Sequence, residues 1–253
     1  MTAPTNYAVS RGVATITLDS PDSRNAFSQA LLRSLMGDFE AALADGSVRV
    51  IVLTNTGGTF SAGADLKEDR GSLGADAVTF ADVVAAIDSS PKPVVGRIAG
   101  HAAGGGAVLA AACDIAIALD TVRIGITEVR LGIAPVPVAA MMAHRMTRRA
   151  LFEAFLAADM MPAARAAELG LVNLAVPADR LDTTVAHYVD ALVRGAPQAL
   201  AVTKTALQAM VDGGVGDARS YAAANSGGLG ASEAREGVAA FLGKRPPAWV
   251  PQD

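Results

Sequence analysis

Over the first 125 residues, apolar positions switch between the two-residue period of strands and the longer period of amphipathic helices. Val48–Leu53 is mostly apolar, which is typical of a strand buried on both faces. The predicted elements are a hairpin over 7–18, a helix after Ser28, a strand at 48–53, a helix at about 76–88, and strands at 94–98 and 114–119. This order predicts an α/β fold of stacked ββα units rather than an alternating doubly wound sheet.

From about residue 136 onward, the periodicity is almost entirely helical. The predicted helices cover 137–159, 163–168, 181–194, 197–211, 217–224 and 231–242. Because no low-complexity linker separates the two halves, we expect the helical part to pack on the core, to exchange between subunits, or both.

The charge balance excludes some classes of protein. The formal net charge is −4, whereas a nucleic-acid-binding protein needs a basic face to neutralise phosphates. The three histidines, His101, His144 and His187, stand far apart, and no Cys/His cluster has the spacing of metal ligands. We therefore expect neither a nucleic-acid partner nor a metal site.

The composition is 51% hydrophobic, which raises the question of a membrane protein. The apolar stretches at 102–113 and 131–143 are shorter than the roughly 20 residues that a membrane-spanning helix needs. The first residues lack the basic and apolar regions of a signal peptide. Cys113 is the only cysteine, so no internal disulfide can form. We expect a cytoplasmic protein without membrane contact.

Two segments, 50–67 and 94–106, share one design: a buried strand leads into glycines and then into a predicted helix start. Amides at a helix start carry partial positive charge, and glycine allows a ligand to approach the backbone. Two such amides on one oxygen would form an oxyanion hole, with roughly 3–4 kcal/mol of stabilisation per donor. Taken alone, each segment fits a tight turn equally well, and neither has the spacing of a dinucleotide or phosphate loop.

Several longer motifs follow one another along the chain. They are FSAGADLK (60–67), GHAAGGG (100–106), CDIAIA (113–118), TEVRLG (127–132), AAELGLV (166–172) and EGVAAFLGKR (236–245). In order and spacing they resemble the crotonase (enoyl-CoA hydratase/isomerase) family over essentially the whole chain. The resemblance implies a spiral of ββα repeats with a C-terminal helical region. It also implies a core at 1–190, a trimerisation region at 191–253, and a homotrimer or dimer of trimers.

The resemblance also implies an acyl-CoA thioester substrate, and no separate cofactor because coenzyme A is carried by that substrate. By position, the amides of Ala64 and Gly105 would hold the thioester oxygen. Contacts to the adenine, pantetheine and phosphates would come from Arg24, Ala26, Ala62, Asp65, Leu66, Lys67 and Lys244. For the three cations in this set, an ordinary solvated charge is an equally good interpretation.

The catalytic carboxylates depart from the family pattern. Hydratases of the family use two glutamates; Glu128 corresponds to the second, but Val108 occupies the position of the first. A single carboxylate fits an enoyl-CoA isomerase, which moves one proton. It also fits hydration, if Glu128 activates water and then protonates the α-carbon. The segment TEVRLGIAP (127–135) resembles hydratases of methylglutaconyl-type or related branched substrates, so hydration is the preferred hypothesis. A catalytically silent acyl-CoA-binding protein is the third alternative.

Simpler interpretations exist for three of these residues. Glu128 could be a surface glutamate paired with Arg123 or Arg130. Asp65 is better suited to cap a helix start than to transfer protons, and His101 to be packed or hydrogen-bonded. The segment PVPVAA (135–140) replaces a glycine-rich segment of many relatives, which predicts a reshaped and drier acyl pocket.

Overall fold

The computed structural model describes residues 3–69, 74, 76–213 and 232–251. The strands are β1 (Thr5–Ser10), β2 (Val13–Leu18), β3 (Val50–Asn55), β4 (Thr59–Ser61), β5 (Val94–Ile98), β6 (His101–Ala103), β7 (Ile115–Leu119), β8 (Arg123–Gly125), β9 (Met161–Pro162) and β10 (Leu174–Val176). The α-helices are α1 (Gln29–Ala44), α2 (Phe80–Ser89), α3 (Gly105–Ala112), α4 (Val136–Met142), α5 (Arg148–Phe152), α6 (Ala163–Glu168), α7 (Ala178–Arg194), α8 (Pro197–Gly213) and α9 (Ser232–Leu242).

The strands form two sheets. The larger has the order β1-β2-β3-β5-β7-β10, in which only the β1–β2 hairpin is antiparallel. The smaller has the order β4-β6-β8-β9, and its first three strands are parallel. A strand of the larger sheet is followed by a strand of the smaller sheet and a helix in β3-β4-α2 and in β5-β6-α3. This repeat confirms the predicted α/β spiral of ββα units.

Strand β3 shows how the apolar pattern creates the core. All six of its residues are buried, and successive side chains point to opposite faces of the sheet. Ile51 and Leu53 enter the main core with residues of α1, α2 and α3. Val50 and Val52 pack on the other face against α7, through Leu181 and its neighbours. Covering helices on both faces explain why this strand lacks polar alternation.

The predicted helix at 137–159 is wrong as a single element. Helix α4 stops at Met142, and Thr147 then caps α5 by accepting a hydrogen bond from the N–H of Ala150. A wider helical turn, Glu153–Ala157, follows and ends at Ala158, whose φ of 53° is left-handed. A threonine that bonds the main chain favours a new helix start over helix continuation.

Most of the other predicted elements are confirmed within a few residues. Ser28 caps α1 as predicted, and α6 has the predicted bounds. The predicted helix at 217–224 lies outside the described residues. Within those residues, none of the helices has both the length and the apolar character required to cross a bilayer.

Candidate active site

A cavity of about 640 Å³ lies where the segment after β4 meets the starts of α2, α3 and α4. Its lining residues are Phe27, Ala64, Asp65, Leu66, Glu68, Asp69, Phe80, Gly105, Glu128, Ile133, Ala134, Pro135, Pro137 and Val138. The cavity therefore contains all three residues predicted to be catalytic: Ala64, Gly105 and Glu128. We call it the main cavity.

The N–H of Ala64 is oriented by a bridge between two loops. Ala64 pairs with Phe27 in a parallel bridge. The N–H of Phe27 donates to the carbonyl oxygen of Gly63 at 2.7 Å, and the N–H of Asp65 donates to that of Phe27 at 3.4 Å. Successive amides of an extended segment point to opposite sides. The amide of Ala64 is thus turned away from Phe27, and no acceptor within the described ranges receives it.

Gly105 is the first residue of α3, so its N–H has no partner in the helix. A β-carbon on Gly63, whose φ is +83°, would lie 3.0 Å from the nitrogen of Gly105 and 2.8 Å from the carbonyl oxygen of Ala103. The loop that carries Ala64 is therefore in close contact with the start of α3. Ala64 and Gly105, from distant parts of the chain, thus line one cavity, which is a condition of the oxyanion-hole hypothesis.

Glu128 contributes one of the four carboxylates that line the main cavity; the others are Asp65, Glu68 and Asp69. It begins a short 3-10 turn after β8. A β-carbon on Gly104, whose φ is +56°, would lie 2.9 Å from Oε1 of Glu128, so the carboxylate lies against the residue that precedes Gly105. Its Oε2 is buried, and among the described atoms it has no hydrogen-bond partner. This oxygen therefore has free lone pairs, on a residue that lines the main cavity.

The alternative in which Glu128 forms a salt bridge is wrong. Arg130 pairs with Asp159, and the guanidinium of Arg123 donates to the carbonyl oxygen of Met160. Both arginines are therefore engaged elsewhere.

Burial raises the pKa of Glu128 above its ordinary value, and the nearby main-chain amides of Glu128 and Thr127 oppose this shift. A carboxyl group whose pKa is higher in the folded than in the unfolded protein favours the folded state when it is protonated. This stabilisation is complete below the unfolded pKa of about 4.3 and is lost as the pH rises through the pKa of the folded protein. We predict that Glu128→Gln raises the Tm at pH 7 and leaves it nearly unchanged near pH 4. Thermal unfolding at both pH values measures the difference. A lower Tm of the variant at pH 7 would contradict the prediction.

A second cavity of about 320 Å³ adjoins the main one. It is lined by Asp22, Ser23, Arg24, Ala26, Ala62, Ala64, Asp65, Leu66 and Lys67, of which Ala64, Asp65 and Leu66 also line the main cavity. We call it the side cavity. Six of the seven residues predicted to contact coenzyme A are thus together. Lys244 is not among them: it is exposed in the turn after α9 and lines neither cavity.

The buried side chain of Asn25 holds the loops of the side cavity together. Its amide donates to the carbonyl oxygens of Thr56 at 3.2 Å and Thr59 at 2.8 Å, and its oxygen accepts from the N–H of Ser20 at 2.7 Å. Ser61 donates to the carbonyl oxygen of Asn25 at 2.7 Å. Asn25 has a φ of 51°, a conformation that asparagine tolerates better than most residues.

We predict that Asn25→Ala lowers the free energy of unfolding by about 3 kcal/mol, because buried main-chain groups lose their partners. Urea unfolding followed by circular dichroism measures the change. Ser23→Ala is the matched control, since it removes an exposed hydrogen bond in the same loop. A loss no larger than that of the control would show that the Asn25 contacts are unimportant for stability.

Some features of the site were not predicted from the sequence. Phe27 and Phe80 stack with 5.0 Å between their ring centroids, and both line the main cavity. Because the two residues are 53 positions apart in the sequence, only the folded structure reveals this contact. Asp65 does not cap a helix; its carboxylate accepts from the N–H of Lys67 in a turn. The expectation for His101 is confirmed, because its Nδ1 accepts from the N–H of Arg123. Val108 is completely buried in the core.

In the described part of the chain, no group of three or more His, Cys, Asp or Glu side chains is placed to hold a metal ion. The main cavity offers main-chain amides and the carboxylates of Asp65, Glu68, Asp69 and Glu128.

Comparisons with known proteins cover nearly the whole chain. The family model described as "Enoyl-CoA hydratase/isomerase" matches residues 8–252. A Thermus thermophilus protein provisionally named an enoyl-CoA hydratase is 33% identical over 94% of this chain and 97% of its own length. The 2,3-dehydroadipyl-CoA hydratase of Escherichia coli is 32% identical over 93% of this chain and 94% of its own. The crystal structure of an enoyl-CoA hydratase from Mycobacterium smegmatis superposes with a TM-score of 0.88 at 32% identity, covering 97% of this chain and 98% of that one.

Proposed function

This chain is an enzyme of the enoyl-CoA hydratase/isomerase family, and we propose that it adds water to the C2–C3 double bond of a 2-enoyl-CoA thioester. The observation that carries the proposal is the composition of the main cavity. Ala64, Gly105 and Glu128 all line this cavity. In the described chain, the amides of Ala64 and Gly105 have no hydrogen-bond acceptor, and Oε2 of Glu128 has no donor.

The proposed reaction uses Glu128 twice. Its carboxylate removes a proton from water while the water oxygen bonds to C3, and the electron pair of the double bond moves to the thioester oxygen as an enolate. The amides of Ala64 and Gly105 stabilise that oxygen by about 3 kcal/mol each. The protonated Glu128 then returns its proton to C2, and the thioester carbonyl is restored. One water is consumed and the carboxylate is regenerated, so no second acid is required at Val108.

We propose that coenzyme A leaves the main cavity through the edge shared with the side cavity. Arg24 and Lys67 line this side cavity and would lie near the phosphates. Each exposed charge pair contributes about 1 kcal/mol, so Lys67→Ala or Arg24→Ala should raise KM about fivefold without changing kcat. Steady-state kinetics with an enoyl-CoA and with its N-acetylcysteamine thioester test this. The truncated thioester lacks the phosphates, so an equal rise in KM for both substrates would contradict the assignment.

Isomerisation of a 3-enoyl-CoA is the second candidate. Val108 is buried in the core at the position of the first glutamate of family hydratases, so only the second, Glu128, is present. Incubation with crotonyl-CoA, a 3-enoyl-CoA and 3-methylglutaconyl-CoA in ordinary and deuterated water separates the two activities. Water addition supports hydration. Migration of the double bond with deuterium incorporation, and no hydrated product, would replace the hydratase proposal with the isomerase one.

We propose that the chain assembles as a homotrimer or dimer of trimers in the cytoplasm, with 191–253 as the assembly region. Three apolar residues of α9, Val238, Phe241 and Leu242, support this, since Phe241 is 81% exposed in the single chain. The single cysteine, which is buried, supports a reducing compartment. Sedimentation velocity gives the mass of the assembly, and a monomer at micromolar concentration would contradict the proposal.

A further inference from the structure

Two helices that line the main cavity at their first turns are also joined at their far ends. Helix α2 begins at Phe80, and α4 carries Pro137 and Val138 in its first turn; these residues line the cavity. Asp88, in the last turn of α2, forms an ion pair with Arg145, in the turn after α4. At 1.5 Å per residue, Asp88 lies roughly 12 Å along α2 from Phe80. The pair is therefore remote from the reacting atoms.

The position of Asp88 is locally unfavourable for α2. A negative charge in the last turn of a helix opposes the helix dipole, so local helix stability gives no reason for an aspartate there. Tertiary contacts compensate. Besides Arg145, the ammonium of Lys204 lies close by, since it donates to the carbonyl oxygen of Ile87 at 2.9 Å and to Asp114 at 2.8 Å. Asp88 weakens its own helix but forms an ion pair with a residue of another element. This combination indicates a role in holding neighbouring elements together.

The ion pair is partly shielded and its partner segment is fixed. The side chains of Asp88 and Arg145 are 28% and 24% exposed. The main chain of Arg145 is packed on both sides: its N–H donates to the carbonyl oxygen of Met142 at 3.0 Å, and its own carbonyl oxygen would lie 3.2 Å from a β-carbon built on Gly170. Met142 is buried. Arg145 is thus a fixed point to which α2 can be tied.

We propose that Asp88 and Arg145 are positioning residues that set the separation of Phe80 from Pro137 and Val138, and thereby control how well the enzyme binds acyl chains that extend beyond the reacting carbons. This inference rests on the proposed function. In the proposed reaction the reacting carbons lie beside Glu128 and Gly105. Phe80 is close to Gly105, 3.7 Å from a β-carbon built there, so a four-carbon acyl group should depend on this separation, but less than a longer group does. An eight-carbon group must continue between the two walls.

The test compares crotonyl-CoA with 2-octenoyl-CoA in Arg145→Gln and Asp88→Asn. We expect KM for octenoyl-CoA to rise about tenfold in both variants, while kcat and KM for crotonyl-CoA change less than about twofold. Arg145→Lys, which keeps the charge, should recover most of the octenoyl-CoA affinity. Arg165→Gln is the matched control, because Arg165 pairs with Glu153 and Glu168 away from both cavities.

Equal rises in KM for both substrates, or no change in either, would overturn the inference. Should the wild type hydrate neither substrate, the proposed function fails, but the inference stays testable. The same variants are then titrated calorimetrically with butyryl-CoA and octanoyl-CoA, which cannot react with water. A selective loss of octanoyl-CoA affinity supports the inference, and parallel affinities refute it. Because two independent variants are measured, a folding defect in one of them does not decide the result.

Discussion

Replacing Glu128 by glutamine is expected to lower kcat for enoyl-CoA hydration by about 1,000-fold while the Kd for a saturated acyl-CoA stays within a few-fold. Glutamine preserves the size of the side chain but cannot accept a proton from water, and general acid–base catalysis contributes 10²–10⁴-fold. The effect should be large because Oε2 of Glu128 is a buried carboxylate oxygen without a hydrogen-bond partner among the described atoms, and Glu128 lines the main cavity. Loss of the conjugated thioester absorbance measures kcat, and calorimetric titration measures Kd.

Glu68→Gln is the matched control for this variant. Glu68 lines the same cavity, but both of its carboxylate oxygens accept from the N–H of Gln29, at 2.9 and 3.0 Å. This carboxylate stabilises the start of α1, and we expect kcat to change less than about threefold. Unchanged activity in Glu128→Gln, or an equal loss in both variants, would remove Glu128 from the mechanism.

Gly63→Ala should lower kcat on the order of 100-fold through the backbone alone. The added β-carbon would meet the carbonyl oxygen of Ala103 at 2.8 Å and the nitrogen of Gly105 at 3.0 Å, and the φ of +83° disfavours alanine. The loop must move away from α3, which separates the amides of Ala64 and Gly105. Misplacing one oxyanion donor costs 10²–10³-fold in kcat. Single-turnover kinetics at saturating enoyl-CoA isolate the chemical step.

Gly58→Ala provides the control for the same substitution in the same segment of the chain. A β-carbon on Gly58 meets no atom within 4 Å and its φ is not left-handed. We expect kcat within about twofold of the wild type. A Gly63→Ala enzyme with normal kcat would mean that the spacing of the two amides is unimportant for catalysis.

The apolar pattern was sufficient to predict the elements whose burial is decided locally. Strand β3 and the capped start of α1 follow directly from their apolar residues and from Ser28. The region from 137 to 159 was mispredicted because its residues favour helix throughout. A hydroxyl at Thr147 divides it through one hydrogen bond that competes with the helix, and periodicity does not register such a contact.

For the site, motifs and spacing identified residues, but tertiary contacts decide which of them act together. The glycines indicated where a ligand could approach the backbone, but the close approach of Gly63 to α3 is visible only in the structure. The stack of Phe27 on Phe80 had no local signal, since ordinary core packing predicts the same residue types. Asp65 was assigned to a helix start, but a turn takes that place, as Asx side chains commonly allow.

The most direct test is a crystal structure with a bound, unreactive thioester such as butyryl-CoA. We predict that the thioester oxygen lies about 2.7–3.1 Å from the main-chain nitrogens of both Ala64 and Gly105, with Glu128 next to C2 and C3 of the acyl group. An oxygen that contacts neither nitrogen, or an acyl group outside the main cavity, would contradict the proposed chemistry.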